Sequence, residues 1–226
     1  MATRKAQDTI TMHDFEEARD IIFMGSVKEL STSDLEKRIT AYHEAGHTLV
    51  AWAQPGADPI YKVSIIPRGM AMGVTQLLPE EDRHYYPRAY LMVKLSVALA
   101  GRVAEKLVFN DISSGAQSDL KDATSLAEKM VSQWGMSDKV GPVNLGRGDE
   151  HPFLGMELSS PKRYSEQMAW LMDQEIQKTI LESEARATEI LSGKRAALDA
   201  LAEALLKDET LDRAEVQRII EGARQA

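Results

Sequence analysis

Cysteine is absent from the 226-residue chain, so no disulfide can form in it and no thiolate can bind a metal. Any metal site must therefore consist of His, Asp and Glu, and a chain without thiols fits a reducing compartment. Positive charge is scarce, since 27 Lys and Arg against 35 Asp and Glu give a formal net charge of -8. Proteins that bind nucleic acid need clustered Lys and Arg against the phosphates, so this balance argues against a nucleic-acid partner.

Long apolar runs are missing as well. No segment approaches the roughly 18 to 20 consecutive apolar residues that a transmembrane helix needs, and residues 1–20 lack the apolar centre of a signal peptide. We therefore expect the chain as given to be soluble. Its 43% hydrophobic and 27% charged residues are an ordinary globular balance, and its length suffices to bury a sizeable core in one large domain or two small ones.

Hydrophobic periodicity predicts a mainly α fold with one small β-sheet next to the second helix and a helical C-terminal half. Helices are predicted at 11–24, 33–53, 87–109, 116–134, 159–191, 194–207 and, after a Thr210 cap, 211–221. The helix from Ser33 starts with a capping box that Glu36 completes. Two short strands are predicted at 60–66 and 73–78, and residues 136–161 are rich in Gly, Pro and polar residues, as is typical of a long loop.

The second predicted helix contains the segment HEAGH, His43 to His47. Residues four apart on a helix have Cβ atoms about 5–6 Å apart, so His43 and His47 can bind one zinc ion at about 2.0–2.1 Å. Glu44 lies about a quarter turn round the helix, where its carboxylate can take a proton from water at the metal. The H-E-x-x-H spacing is typical of zinc metallopeptidases for this reason. Gly46 leaves room for another backbone or a substrate to approach the helix.

A catalytic zinc site usually has three protein ligands and one position open to water. The longer pattern that supplies a third histidine is absent, because Val50 and Ala53 occupy its last two defined positions. The other histidines, His13, His84 and His151, lie in polar or loop settings that give no positive signal. The third ligand must therefore come from a more distant part of the chain.

Two acidic residues are the main candidates for that ligand. Glu105 lies on the buried-looking helix at 87–109, and Asp119 lies near the start of the next helix. Each also has a simpler interpretation, since Asp119 can stabilise the helix dipole and Glu105 can pair with Arg102 or Lys106. The residue pattern alone leaves this choice open.

Several further segments stand in a characteristic order along the chain: HEAGH, VSIIPRG with a following MGVTQLLPEED, AGRVAEKLVF, SSGAQSDLKDAT and MVSQWGMSDKVGPV. Together they resemble the peptidase domain of FtsH-type proteases, which are membrane-anchored, ATP-dependent AAA+ zinc proteases. The similarity runs from about residue 8 to residue 222. The resemblance implies a helical zinc-metallopeptidase domain in which His43, His47 and Asp119 bind zinc, Glu44 is catalytic, and Glu105 orients an imidazole.

The same resemblance implies a division of the chain and a larger protein around it. ITMHDFEEARDIIFMG resembles the tail of an AAA+ lid, so residues 1–30 are expected to be that tail with a linker and residues 31–226 the peptidase domain. The chain has no G-x-x-x-x-G-K-[ST] sequence, so the ATPase module and the N-terminal membrane anchor are expected outside it. The family's homo-hexamer is the expected assembly, with this domain on the cytoplasmic side of the membrane or in the equivalent organelle compartment.

Two functional hypotheses follow. In the first, the chain is an endopeptidase that hydrolyses unfolded or membrane-extracted proteins, and the substrate pairs as an added strand with residues 73–78. In the second, the chain is an oligomerisation module whose metal is structural. The open coordination position and Glu44 argue against the second hypothesis, since structural zinc is normally closed by four protein ligands.

Overall fold

The computed structural model describes residues 8–28, 32–69, 71–79, 82–146 and 164–223, without the side chains of residues 13, 23 and 24. The α-helices in these ranges are α1 Met12–Met24, α2 Asp34–Ala53, α3 Arg88–Phe109, α4 Gln117–Glu128, α5 Glu166–Gly193, α6 Arg195–Asp208 and α7 Arg213–Gly222. The strands are β1 Ile60–Ser64, β2 Val74–Leu77 and β3 Thr210–Asp212. The predicted mainly α class with one small sheet is confirmed. Of the helices just named, none is both long and apolar enough to cross a bilayer.

The helix starts follow the predicted capping residues closely. Thr11 caps α1, and its side chain and that of Asp14 bond each other's backbone N–H groups. Ser33 caps α2 in the same way: the Glu36 N–H donates to Ser33 Oγ over 3.2 Å, and the Ser33 N–H donates to Glu36 Oε2 over 2.8 Å. Because a capping box satisfies two otherwise unpaired N–H groups, it fixes where the helix begins. The register of the HEAGH segment on α2 follows from that start.

The sheet has the order β2-β1-β3, and both neighbours of β1 are antiparallel to it. The prediction of a helix directly after Thr210 was wrong in this respect, since Thr210 to Asp212 form β3 and pair with β1. The physical reason lies in two local choices. Strand β1 offers a second edge of backbone groups, with which residues 210–212 pair. Asp212 caps the following helix in place of Thr210, because Asp212 and Glu215 form a capping box in which each backbone N–H bonds the other's carboxylate over 2.8 Å. Strand β1 is therefore central, and β2 lies at an edge.

The main core surrounds α2, which packs against α3, α6 and β1. Fully buried members of this core include Leu49, Val50, Val63, Leu198 and Leu205. Helices α2 and α3 lie close together at Gly46, where an added Cβ would lie 2.6 Å from the backbone oxygen of Ala100. The close approach that Gly46 predicts is therefore made by the backbone of α3.

The helix predicted at 116–134 is divided in the structure. A 3-10 turn at Ser114–Ala116 precedes α4, and a π-helical turn at Lys129–Gln133 follows it. Residues 136–146 form no helix or strand, in agreement with the predicted loop, and residues 147–161 lie outside the described part of the chain. The predicted start of the next helix at residue 159 also lies outside it, and α5 is described from Glu166, with Ser165 as its cap.

Glu175 on α5 ties this loop to the helical core. Its side chain is buried, Ser137 Oγ donates to its Oε2 over 2.9 Å, and Lys139 Nζ lies 3.0 Å from its Oε1. Burial raises the pKa of Glu175, but the contacts with Lys139 and Ser137 outweigh burial and hold that pKa below its usual range. A carboxylate with a lowered folded-state pKa stabilises the fold above its unfolded pKa of about 4.3, and the contribution is lost as the pH falls through the folded value.

We expect Glu175→Gln to lower the free energy of unfolding by about 1 kcal/mol at pH 7, because a charge-assisted hydrogen bond and an ion pair are lost. The difference from the unsubstituted chain should shrink between about pH 5 and pH 3, since both proteins are then neutral at this position. Urea titrations at several pH values measure this. Glu182→Gln is the matched control, because Glu182 is about half exposed on the same helix and its described ion pair is an exposed one, with Lys178. A difference that stays constant with pH would contradict the assignment.

Candidate metal centre

Two helices bring three candidate metal-binding atoms together. His43 and His47 lie one turn apart on α2, and Asp119 lies in the first turn of α4. The two Nε2 atoms are 3.0 Å apart, and Asp119 Oδ2 lies 3.0 Å from His43 Nε2 and 3.5 Å from His47 Nε2. Two ligands of one tetrahedral zinc ion, each about 2.0–2.1 Å from it, are about 3.3–3.4 Å apart. The three atoms therefore fit a single metal ion.

The other ring nitrogen of each histidine is held by α3. The Nδ1–H of His47 donates to the backbone oxygen of Val97 over 2.7 Å, and the Nδ1–H of His43 donates to Glu105 Oε1 over 2.7 Å. A carbonyl oxygen can only accept, so this bond fixes the tautomer of His47, with the lone pair on Nε2. Fixing the far nitrogen in this way is how proteins orient metal-binding imidazoles.

Glu105 also connects the histidine to the segment that carries Asp119. It is 2% exposed, and its second oxygen accepts the backbone N–H of Ser113 over 2.7 Å. The Ser113 hydroxyl in turn accepts the N–H of Gly115, within the 3-10 turn that leads into α4. One buried carboxylate thus aligns an imidazole on α2 with the loop before Asp119. The alternative in which Glu105 pairs with Arg102 is not observed, because Arg102 forms its ion pair with Glu184.

Gly101 on α3 leaves the space in which the two rings meet. A Cβ at this position would lie 2.5 Å from His43 Nε2 and 2.6 Å from His47 Nε2, far inside van der Waals contact. The importance of Gly101 was not predicted from the sequence. The sequence does carry a signal for it, since glycine in a helix interior costs about 1 kcal/mol relative to alanine.

The charges of the centre favour a cation. Burial lowers the pKa of His43, but its contacts with Asp119 and Glu105 outweigh burial and raise that pKa to about 10. Burial raises the pKa of Asp119 and of Glu105, and the contacts with the imidazoles outweigh it and hold both pKa values below the usual range. The negative field that stabilises a proton on His43 also stabilises a divalent cation among the same atoms.

Glu44 lies beside this cluster and is 6% exposed. Its carboxylate Oε2 accepts a hydrogen bond from the Thr75 hydroxyl of β2 over 2.7 Å, and its Oε1 faces Gly73. Burial raises the pKa of Glu44, and the nearby imidazoles together with the Thr75 hydrogen bond offset only part of that effect. The structure thus provides a buried carboxylate next to the candidate metal-binding atoms, and its hydrogen bond from Thr75 was not predicted from the sequence.

The remaining histidines do not join the centre in the described part of the chain. His84 is exposed and precedes α3, the side chain of His13 is not described, and His151 lies outside the described residues. Asp119 is the acidic residue that the structure brings to the two Nε2 atoms.

Comparison with known proteins gives the family. The profile of peptidase family M41 matches residues 30–219. The chain belongs to peptidase family M41. The resemblance that the sequence motifs suggested is thereby confirmed at the level of the family.

This M41 chain is similar over nearly its whole length to three proteins that share one name. It is 54% identical to the "ATP-dependent zinc metalloprotease FtsH" of Syntrophotalea carbinolica, over 97% of this chain and 34% of the relative. It is 58% identical to the protein of that name from Pelobacter propionicus, over 97% of this chain and 35% of the relative. The protein of that name from Nitrosococcus oceani is 50% identical, over 98% of this chain and 35% of its own length. The chain spans about a third of the length of these relatives.

We expect Gly101→Ala to weaken zinc binding by at least about tenfold, because the added methyl group displaces the two imidazoles that have to converge. Alanine should meanwhile keep or improve the helix propensity of α3. Competition with a chromophoric chelator measures the affinity, and circular dichroism monitors the fold. Gly193→Ala is the matched control, since an added Cβ there meets open space at the end of α5. Equal zinc affinity in both variants would contradict the position of the centre.

Proposed function

We propose that this chain is the zinc-dependent endopeptidase domain of an ATP-dependent FtsH-type protease. In this proposal it hydrolyses peptide bonds of unfolded or membrane-extracted proteins. The observation that carries the proposal is the convergence of two imidazole nitrogens and one carboxylate beside a second, buried carboxylate. Membership of a peptidase family and the names of the relatives support the same reaction.

His43, His47 and Asp119 are the proposed zinc ligands. A zinc ion with three protein ligands supplies a Lewis acid that polarises the scissile carbonyl and lowers the pKa of water toward neutrality. Two imidazoles and one carboxylate suit this metal, and their spacing supports the assignment. Three protein ligands leave one coordination position of the zinc open to water or substrate, whereas a structural zinc site is normally closed by four protein ligands. The three-membered group therefore favours an enzyme over an oligomerisation module with a structural metal.

Glu44 is the proposed general base. Its carboxylate would accept a proton from the attacking water and deliver it to the nitrogen of the leaving amine. Two features of its environment support this role. The side chain is buried next to the ligand set, and burial raises its pKa, which makes the carboxylate a stronger base than an exposed one.

The proposed substrate lies extended along β2. This strand is at the edge of the sheet, and within the described residues no strand pairs with its outer side. Thr75 in its middle contacts Glu44, so a peptide paired with that edge would pass close to the proposed base. Backbone pairing does not depend on side chains, and cleavage should therefore be broad in sequence.

The proposal extends to a larger protein. Residues 1–30 would be the tail of an AAA+ lid with its linker, and residues 31–226 the peptidase domain, which fits a family match that begins at residue 30. Helix α1 exposes a set of large apolar side chains, which supports packing against a further module: Met12, Phe15 and Ile22. The parent protein is proposed to be a homo-hexamer with an ATPase module and a membrane anchor, and with this domain on the cytoplasmic side or in the equivalent organelle compartment.

Glu44→Gln should lower turnover of casein, an unfolded substrate, by about 10²- to 10⁴-fold, because an amide of the same shape cannot accept the proton. Metal analysis should find the zinc content unchanged. Asp119→Ala is the contrasting variant, since it should lose zinc and activity together. Unaltered turnover by zinc-loaded Glu44→Gln would refute the assigned role, and full zinc occupancy in Asp119→Ala would refute the proposed third ligand.

A single N-methyl group moved along a peptide substrate tests the pairing with β2. Alternate residues of an added strand direct their N–H groups toward the neighbouring strand, so methylation should reduce cleavage at every second position. The other positions, where the N–H points away, serve as controls within the same series. Cleavage rates are measured by mass spectrometry. A uniform response along the peptide, or none, would show that the substrate is not held as a strand.

A further inference from the structure

We propose that Thr75 is a positioning residue for the reaction, and that its hydroxyl holds the Glu44 carboxylate in the orientation that proton transfer requires. The inference rests on the proposed function, in which Glu44 is the general base. It adds a residue from the sheet to a centre otherwise built from helices.

The Thr75 hydroxyl has one proton to donate, and Glu44 offers two acceptor oxygens within reach. Its Oγ1 lies 2.7 Å from Glu44 Oε2 and 3.1 Å from the Glu44 backbone oxygen. The carboxylate oxygen is nearer, and in the ionised form that a general base must have it is also the stronger acceptor, since hydrogen bonds to ionised acceptors are the shorter kind. The Thr48 hydroxyl, at 3.4 Å from Thr75 Oγ1, is too distant for a strong bond. The proton of Thr75 is therefore directed to Oε2.

Gly73 confines the other side of the same carboxylate. A Cβ built at this residue would lie 2.7 Å from Glu44 Oε1 and 2.8 Å from Glu44 Cγ. The segment from residue 73 to residue 75 thus faces Oε1 with a residue that has no side chain and bonds Oε2 through a hydroxyl. A side chain at residue 73 would take the space that the carboxylate occupies.

The position of Thr75 is set by the sheet. It pairs with Val63 of β1, which is fully buried in the main core, and its side chain points toward α2. Within the described residues no Lys or Arg forms an ion pair with Glu44, so no cationic side chain takes over this role there. A general base must be held to within about 0.5 Å of its productive position, and glutamate has three rotatable side-chain bonds. A hydroxyl on a fixed strand supplies that restraint.

Two substitutions separate positioning from packing. Thr75→Val keeps the shape and removes the hydroxyl, whereas Thr75→Ser keeps the hydroxyl and removes a methyl group. For a peptide substrate of the zinc-loaded chain, Thr75→Val should lower kcat by about 10- to 100-fold with KM within about twofold. Thr75→Ser should retain kcat to within about threefold, and both should bind zinc as the unsubstituted chain does. The reverse order, with Ser the poorer variant, would overturn the inference in favour of packing.

Gly73→Ala tests the confinement of Oε1 by a separate route. The added methyl group should displace the carboxylate and lower kcat while zinc content stays unchanged. Gly193→Ala again controls for glycine substitution in open space. Full activity of Gly73→Ala would contradict the proposed confinement.

A double-mutant cycle in thermal unfolding tests the contact between Thr75 and Glu44 independently of catalytic activity. Thr75→Val should lower Tm by roughly 4–8 °C in the unsubstituted chain, and by less than about half of that in a Glu44→Ala background, where the acceptor is gone. An unsubstituted chain that cleaves neither casein nor peptide would refute the proposed function, and the Tm cycle would then decide on the contact alone. An active chain with equal Tm shifts in both backgrounds and full activity in Thr75→Val would refute only the role of Thr75.

Discussion

The packing of α3 against α2 is the constraint on which the rest of the candidate centre depends. Val97, Gly101 and Glu105 are spaced four apart on one face of α3, and they meet two histidines that are four apart on α2. Val97 and Glu105 hold the Nδ1 atoms, and Gly101 leaves room for the Nε2 atoms to converge. The same four-residue spacing on both helices thus directs the two imidazole rings to one point. A centre built on packed helices is held more rigidly than one built on loops.

Electrostatics divides the carboxyl groups around the histidines into two kinds. Asp119 and Glu105 contact the imidazoles directly, and those contacts hold their pKa values low despite burial. Glu44 has the neutral Thr75 hydroxyl as its hydrogen-bond partner, and burial raises its pKa. Environments that push the pKa values of neighbouring acids apart are what separate a charge-stabilising role from a proton-transfer role. The difference supports Asp119 as a proposed ligand and Glu44 as a proposed base.

Chemistry that depends on neighbouring residues was predictable from the sequence, whereas contacts between distant segments were not. His43 and His47 lie within one helical turn, so their spacing predicted a shared metal. Asp119 lies 76 positions after His43, and residue pattern alone could not choose between it and Glu105. Strand β3 was missed because its three residues carry no alternation of their own and become a strand only where β1 offers an edge. Gly101 was missed because its importance depends on which residues α3 meets.

The sheet links the proposed substrate-binding edge to the proposed base, which the helices alone do not do. Strand β2 is held in register by β1, whose other edge is covered by β3. The strand proposed to pair with the substrate is therefore also the strand whose hydroxyl bonds Glu44. One strand, held in register by β1, would then position both the peptide and the carboxylate. Because reaction rates depend steeply on the separation of reacting groups, a common support of this kind favours proton transfer.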